Sequence, residues 1–304
     1  MGPGLERTQR MALSPNPPRF SVVIPAHNEA EVIERCLRAL LSGAPPGEPE
    51  IIVVANGCID DTAARARRFD GRVKVIELER GSKPLALNTG NQAASAAPRF
   101  FIDADIEVSY ASLAAVAAEL AGDGPRAGAP ALGVDLSHAN WALKRFFDIW
   151  MRLPYVRNGL VGAGVYGLST GGLARLKEFP DIIGDDLYVI RLFRAEERVS
   201  VAVAADGTPV RFTIFPPRTL KDLIRVEMRR RAGDEEMTEL FGAQAERTPG
   251  QYGALLALFA QPNLWPALGI YLYVKLRSRW LYTRQRKRGQ HKVWERDQSS
   301  RVVS

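Results

Sequence analysis

Phe100-Phe101-Ile102-Asp103-Ala104-Asp105 decides how this chain of 304 residues is read. A bulky apolar run stops abruptly at two carboxylates separated by one residue. As a buried strand, the run leaves both carboxylates just past its carboxyl end, where open parallel sheets bind ligands. Side chains two apart on an extended chain share a side. Asp103 and Asp105 are therefore predicted to form a hard oxygen site for Mg²⁺ or Mn²⁺ carrying a diphosphate. A loop Asp followed by a helix-capping Asp is the plainer alternative.

Upstream, apolar runs and helical spacings alternate. Phe20-Ser21-Val22-Val23-Ile24 reads as a first buried strand ended by Pro25. Asn28 and Glu31 have the spacing of a capping pair ahead of a helix carrying Val32, Ile33, Cys36, Leu37, Leu40 and Leu41. Ile51 to Val54 is a second strand, followed by the Asn56-Gly57-Cys58 turn and a helix started by Asp60 or Asp61. Val73 to Leu78 is a third strand. Gly81-Ser82-Lys83-Pro84 opens another helix, with Pro84 suited to its first turn, and Arg99 to Ile102 is the fourth strand. Short joints between such elements argue for a largely parallel sheet flanked by helices. The polar clusters His27-Asn28-Glu29, Asn56, Gly81-Ser82-Lys83 and Asp103-Ala104-Asp105 all fall at strand carboxyl ends, as in a ligand cleft. No Gly-x-Gly-x-x-Gly or P-loop follows any strand, which disfavours dinucleotide and P-loop readings.

The bulk numbers set the frame. A 46% hydrophobic share and a 25% charged share permit a full globular core. Cys36 and Cys58 give no disulfide framework, and three histidines without metal-like spacing disfavour zinc. The net charge of +7 is uneven: ten of the 41 Lys and Arg lie between Lys275 and Arg301, as in a basic tail. No nucleic-acid-binding fold accompanies that tail. Residues 1–19 read as a loose tail with neither a signal h-region nor a membrane span.

These motifs, in this order, resemble the family 2 glycosyltransferases of the GT-A fold. Val22-Val23-Ile24-Pro25-Ala26-His27-Asn28-Glu29 resembles their opening strand and nucleotide loop. Val54 to Thr62 resembles their second element, where many members carry Asp in place of Asn56; Asn offers a donor as well as an acceptor. Gly81 to Asn88 resembles the Gly-x-Lys segment near the diphosphate, and Asp103-Ala104-Asp105 the metal motif. The resemblance implies a nucleotide-sugar site built from Pro25, Ala26, His27, Asn28, Glu29, Asn56, Lys83, Asp103 and Ala104. It implies Asp105 as main ligand of Mn²⁺ or Mg²⁺, with Asp103 reaching the ribose or the metal shell.

Further along, Gly162-Ala163-Gly164-Val165-Tyr166-Gly167 resembles the segment lining the sugar and acceptor site. Gly184-Asp185-Asp186-Leu187-Tyr188 resembles the acidic motif of the catalytic base, a role that falls on Asp186 with Asp185 beside it; an acidic helix start is the plainer alternative. Direct displacement with inversion is implied, from a nucleoside-diphosphate sugar, with UDP-sugars foremost, to a saccharide or lipid-linked acceptor hydroxyl. Arg194 to Val203 and Val210 to Phe215 are predicted strands flanking an Asp206-Gly207 turn. Thr219 is predicted to cap a helix carrying Arg225, Arg229, Arg230 and Arg231, a phosphate clamp or a solvated basic helix end. The Gln-x-x-Arg-Trp motif of processive relatives is absent, so one sugar per encounter is expected. Residues 108–161 are expected to help choose the acceptor, with His138, Trp141 and Trp150 equally suited to packing.

Residues 248–274 carry no charge, but Gln261-Pro262-Asn263 and Pro266 break the run near its middle. Two short halves fit a re-entrant hairpin or helices seated on an anionic membrane surface, and equally a helical pair packed on the catalytic domain. The expected organisation is a tail (1–19), a GT-A domain (20–232), a helical, membrane-associated segment (233–283) and a basic tail (284–304). The expected location is cytoplasmic, at the inner face of the plasma membrane. A sugar-nucleotide-forming nucleotidyltransferase and a non-catalytic nucleotide-binding membrane partner are the alternatives.

Overall fold

The computed structural model describes residues 19–122, 124–157, 162–242 and 251–288. The expected N-terminal tail, apart from Arg19, and the basic tail beyond Arg288 lie outside the described residues.

The first half alternates as expected: β1 (Ser21–Ala26), α1 (Ile33–Leu41), β2 (Glu50–Asn56), α2 (Thr62–Arg67), β3 (Val73–Leu78), α3 (Lys83–Ala93), β4 (Arg99–Ile102). A short β5 (Glu107–Val108) and α4 (Tyr110–Glu119) follow, then β6 (Ala127–Val134), α5 (Trp141–Trp150) and α6 (Pro154–Arg157). Next come β7 (Val165–Leu168), α7 (Thr170–Leu176), α8 (Asp185–Leu192), β8 (Arg198–Val201) and β9 (Arg211–Ile214). Three helices close the described chain: α9 (Leu220–Phe241), α10 (Gln251–Phe259) and α11 (Trp265–Lys287).

The sheet order is β3-β2-β1-β4-β7-β6-β9-β5, with β8 also paired to β6. The first four strands are parallel, whereas β7 runs antiparallel to both β4 and β6. The period-two pattern of the apolar runs explains the double burial. Val22, Ile24, Ile51, Val53, Phe100 and Ile102 pack on one face with α1 and α4. Val23 and Phe101 pack on the other with Leu87 and Tyr166. Mean burial of β1 is complete along its length.

Three local expectations are corrected. Pro25 lies inside β1, paired with Val54. The β4 ladder has already ended at Val23, so the missing N–H sits where β1 is paired on one side only. Asn28 does not cap α1, whose N-cap is Val32 without a side-chain bond. Its carboxamide oxygen instead accepts the Ile59 N–H at 2.8 Å. The Asp206-Gly207 turn exists, but as a small excursion between Ala202 and Val210. β8 and β9 do not form a regular hairpin; each runs parallel to a different half of β6.

Behind the sheet, α5, α9, α10 and α11 share an apolar cluster that includes Phe146, Leu223, Leu258, Leu268 and Val274. α9 passes unbroken across residue 232, with Thr219 accepting the Asp222 N–H as its cap. No single described helix is long and apolar enough to cross a membrane; α10 and α11 pass only as a pair, bent by 99°.

Candidate active site

The carboxyl ends of β1, β2, β3 and β4 lie along one edge of the sheet because these strands are parallel and in register. β7 adds to that edge from the opposite direction. Its first residue, Val165, pairs with Ile102, so residues 162–164 arrive beside Asp103. The Asp103 N–H donates to the Gly164 carbonyl at 2.8 Å. Gly164 has φ +91°, and a Cβ there would lie 3.0 Å from Asp103 Oδ2. A side chain at this position would both strain the backbone and crowd the carboxylate.

Lys83, the first residue of α3, is the centre of this edge. Its Nζ lies 2.7 Å from Asp103 Oδ1 and 2.8 Å from Asp185 Oδ1. Ser82 fixes the helix start by accepting the Leu85 N–H, with Pro84 in the first turn. Burial pulls the Lys83 ammonium down, but Asp103 and Asp185 outweigh it and hold its pKa above the usual lysine value. Asp185 is buried and also accepts the Tyr166 hydroxyl at 2.8 Å. Burial raises the Asp185 pKa, opposed by Lys83 and reinforced by Asp103 and Asp186. Tyr166 is fully enclosed, and burial followed by the Asp185 charge pushes its phenol well above the usual range.

Asp186 is half-buried and held differently. Its Oδ2 accepts the Ala163 N–H at 3.3 Å and its Oδ1 accepts the Leu187 N–H at 2.8 Å. Of the two adjacent acids, Asp185 is thus locked to Lys83 and Tyr166, while Asp186 accepts from two backbone amides. Both oxygens of Asp185, expected beside Asp186 in the catalytic pair, are engaged by these neighbours.

The nucleotide-loop residues form a second knot. His27 Nδ1 lies 2.6 Å from the Asn56 carbonyl, which can only accept, so Nδ1 carries the proton. The Asn56 side chain is buried, donating to the Ala26 carbonyl at 2.9 Å and accepting the Ser82 N–H at 3.0 Å. It braces β1, β2 and the Lys83 loop. Glu29 and Ala104 are likewise buried, and Asn28 stands at φ +53°. Pro25 and Ala26 serve through the β1 backbone.

The premise about Asp103 and Asp105 also changes. Residues 103–106 form a turn closed by the Ile106 N–H to the Asp103 carbonyl at 3.2 Å, not an extended strand. The Asp105 carbonyl accepts Arg35 Nη2 at 3.1 Å, and Arg35 pairs with Glu107 at 3.0 Å. Among the described residues no group of three or more His, Cys, Asp or Glu side chains could hold a metal ion alone. A cation completed by diphosphate oxygens and water needs only one or two carboxylates. Asp105, aided by Asp103, fits that smaller demand.

Tyr166 and Arg35 were not singled out individually in the sequence, since nothing local announces a phenol that meets an acid 19 positions away. A cleft of about 560 Å³ opens at the start of α3, lined by Ser82, Pro84, Asn88, Phe179 and Tyr188 among others but not by Lys83 itself.

Known proteins share these features to different extents. Residues 21–173, running from β1 into α7, match the model of "Glycosyl transferase family 2". Glycosyltransferase AglE of Haloferax volcanii is 41% identical over 93 residues, which is 29% of this chain and only 31% of that protein. Among solved structures, the mannosyltransferase PcManGT of Pyrobaculum calidifontis, in complex with GDP-Man and Mn²⁺, superposes with a TM-score of 0.58. Its identity is 20%, over 90% of this chain and 80% of that one. Glucosyl-3-phosphoglycerate synthase of Mycobacterium tuberculosis, with Mn²⁺, UDP and glucosyl-3-phosphoglycerate, gives 0.50 at 20% identity, over 75% and 81%. At such identities the superpositions speak to the fold, which is the expected GT-A type. The matched family model covers half of the sequence, including the Lys83 loop and the Asp103–Asp105 turn, and the chain belongs to glycosyl transferase family 2.

Proposed function

We propose that this protein transfers one sugar, with inversion, from a nucleoside-diphosphate donor, UDP-sugars foremost, to a hydroxyl of a saccharide or lipid-linked acceptor. The observation that carries the proposal is the ion-paired triangle of Lys83, Asp103 and Asp185, with Asp186 next in the chain. Lys83 is held charged beside the strand ends where a diphosphate would lie, and it supplies a fixed positive charge for the departing group. Asp103 and Asp185 orient that ammonium. Asp186 accepts the proton of the attacking hydroxyl, a role for which positioning by the Ala163 and Leu187 amides substitutes for intrinsic basicity.

Asp105, with Asp103, would hold Mn²⁺ or Mg²⁺, which when bound neutralises the charge developing on the diphosphate. Two fold neighbours, one in complex with GDP-Man and one with UDP, both with Mn²⁺, support this donor class. Asn56, bound to backbone, leaves base selection to other groups.

We further propose a seat for α10 and α11 on an anionic membrane surface at the cytoplasmic side. Trp265, Tyr273, Leu276 and Trp280 are exposed, and Arg277 and Arg284 stack on Trp280. Aromatic and cationic side chains interleaved in this way suit the headgroup region.

A screen of nucleotide sugars with Mn²⁺ or Mg²⁺ tests the activity. Release of nucleoside diphosphate and appearance of a glycosylated acceptor support it. Pyrophosphate release from a nucleoside triphosphate would instead favour the nucleotidyltransferase, and nucleotide binding without turnover the non-catalytic partner.

A further inference from the structure

A second pocket, of about 260 Å³, lies in the helical layer between α9, α10, α11 and the residues around α6. It shares no lining residue with the Lys83 cluster. Arg230 and Arg231 of α9 and Lys275 of α11 bring three positive charges to it, against Glu227 and Asp234. We infer that this pocket binds the phosphate group of a phosphomonoester, and the inference does not rest on the transfer activity proposed above.

Each cation is steered to the pocket. Arg230 lies over the Tyr155 ring, 5.3 Å from its centroid, and reaches its hydroxyl at 3.4 Å. Arg231 donates to the Lys275 carbonyl at 3.3 Å, while its buried Nε has no hydrogen-bond partner among the described residues. Lys275 pairs with Glu227 at 2.5 Å. One positive charge is therefore in surplus in a half-buried site, and one guanidinium donor is unsatisfied. Both are costly without an anion. The strain registers on Lys275, whose pKa is drawn below the usual lysine value by burial and by Arg230 and Arg231, against the pull of Glu227.

Phosphate is the anion that matches. Two adjacent guanidinium forks recognise its oxygens more specifically than a point charge does. The volume falls just below the range of drug-sized pockets, enough for a headgroup and too small for a nucleotide. Leu255 and Tyr271 give the lining an apolar side that could receive the first carbons of an ester. The arginine run of α9 is thus not simply a solvated helix end. The same helix also buttresses the candidate base: Glu236 accepts the Ile183 N–H at 2.8 Å, and Gly233 packs against Gly184.

The test is calorimetric titration of the full chain, at fixed ionic strength, with dihexanoyl phosphatidic acid, dihexanoyl phosphatidylcholine and inorganic phosphate. Phosphatidic acid should bind, and phosphatidylcholine should not. Arg231→Gln should weaken binding about tenfold to a hundredfold. Asp234→Asn should strengthen it about threefold, an effect that misfolding cannot mimic. Lys83→Gln should leave it unchanged. Inorganic phosphate binding as tightly as phosphatidic acid identifies free phosphate as the source, and a preference above about tenfold for the lipid identifies a headgroup; either fills the pocket. Equal affinities in wild type, Arg231→Gln and Asp234→Asn, or a loss confined to Lys83→Gln, would overturn the inference. UDP titration of the same variants reports on the donor site separately.

Discussion

Lys83 and Asp185 meet at 2.8 Å across a hundred residues of chain. One opens α3 after the third strand and the other opens α8 after the seventh. Their contact joins the half of the protein that resembles a nucleotide-binding fold to the half that carries the candidate base.

The pH dependence of stability should show this contact. Asp103 and Asp185 overcome burial and keep the Lys83 pKa above its unfolded value of 10.5. A pKa raised on folding stabilises fully below the unfolded value and ceases to do so as pH climbs through the folded one. The stability difference between wild type and Lys83→Met should therefore narrow above about pH 10.5. Chemical denaturation at a series of pH values measures it. A difference that is flat across the alkaline range would contradict the pairing.

Tyr166→Phe removes the hydroxyl that Asp185 accepts while keeping the ring between Phe101 and Phe179. A hydrogen bond to a buried charged acceptor contributes about 1.5–3 kcal/mol. We expect a loss of that order in unfolding free energy, together with a lower kcat and little change in UDP affinity. Unaltered stability would mean that Asp185 is satisfied without Tyr166.

Gly57 stands at φ +57°, and a Cβ there would come within 2.5 Å of the Gly81 backbone nitrogen. The turn after β2 and the loop bearing Lys83 are thus in backbone contact. Gly57→Ala should cost about 1–2 kcal/mol from the left-handed conformation alone, and displace the Lys83 loop. The expected kinetic signature is a raised donor KM with a smaller change in kcat.

The membrane seat can be tested by vesicle flotation. Binding to phosphatidylglycerol vesicles should survive a high-salt wash, because apolar side chains enter the headgroup boundary. The Trp265→Ser, Leu276→Ser, Trp280→Ser triple variant should lose it. Release of the wild type by salt would leave electrostatic attraction only, and no insertion.

Much of this architecture was legible because it is local. β-branched runs such as Ile51 to Val54 declare buried strands, and Ser82 with Pro84 declares a helix start. Pro25 misled because a strand tolerates proline where one side is unpaired, and pairing is not written locally. The partners of Asn56 were illegible for a related reason: its amide can face a ligand or the backbone, and here it bonds Ala26 and Ser82. Asp103 and Asp105 have the spacing of an extended pair, yet a turn intervenes. The Tyr166–Asp185–Lys83 chain was hidden because each partner lies on a different element, brought together only by the sheet order.

The most direct test of the proposed chemistry compares Asp186→Asn with Asp105→Ala, in sugar transfer and in metal-dependent UDP binding. Asp186→Asn should lower kcat by about 10²–10⁴-fold and leave UDP affinity unchanged. Asp105→Ala should weaken UDP binding in the presence of Mn²⁺. Wild-type turnover in Asp186→Asn would remove Asp186 as the base and contradict the division of labour built around Lys83.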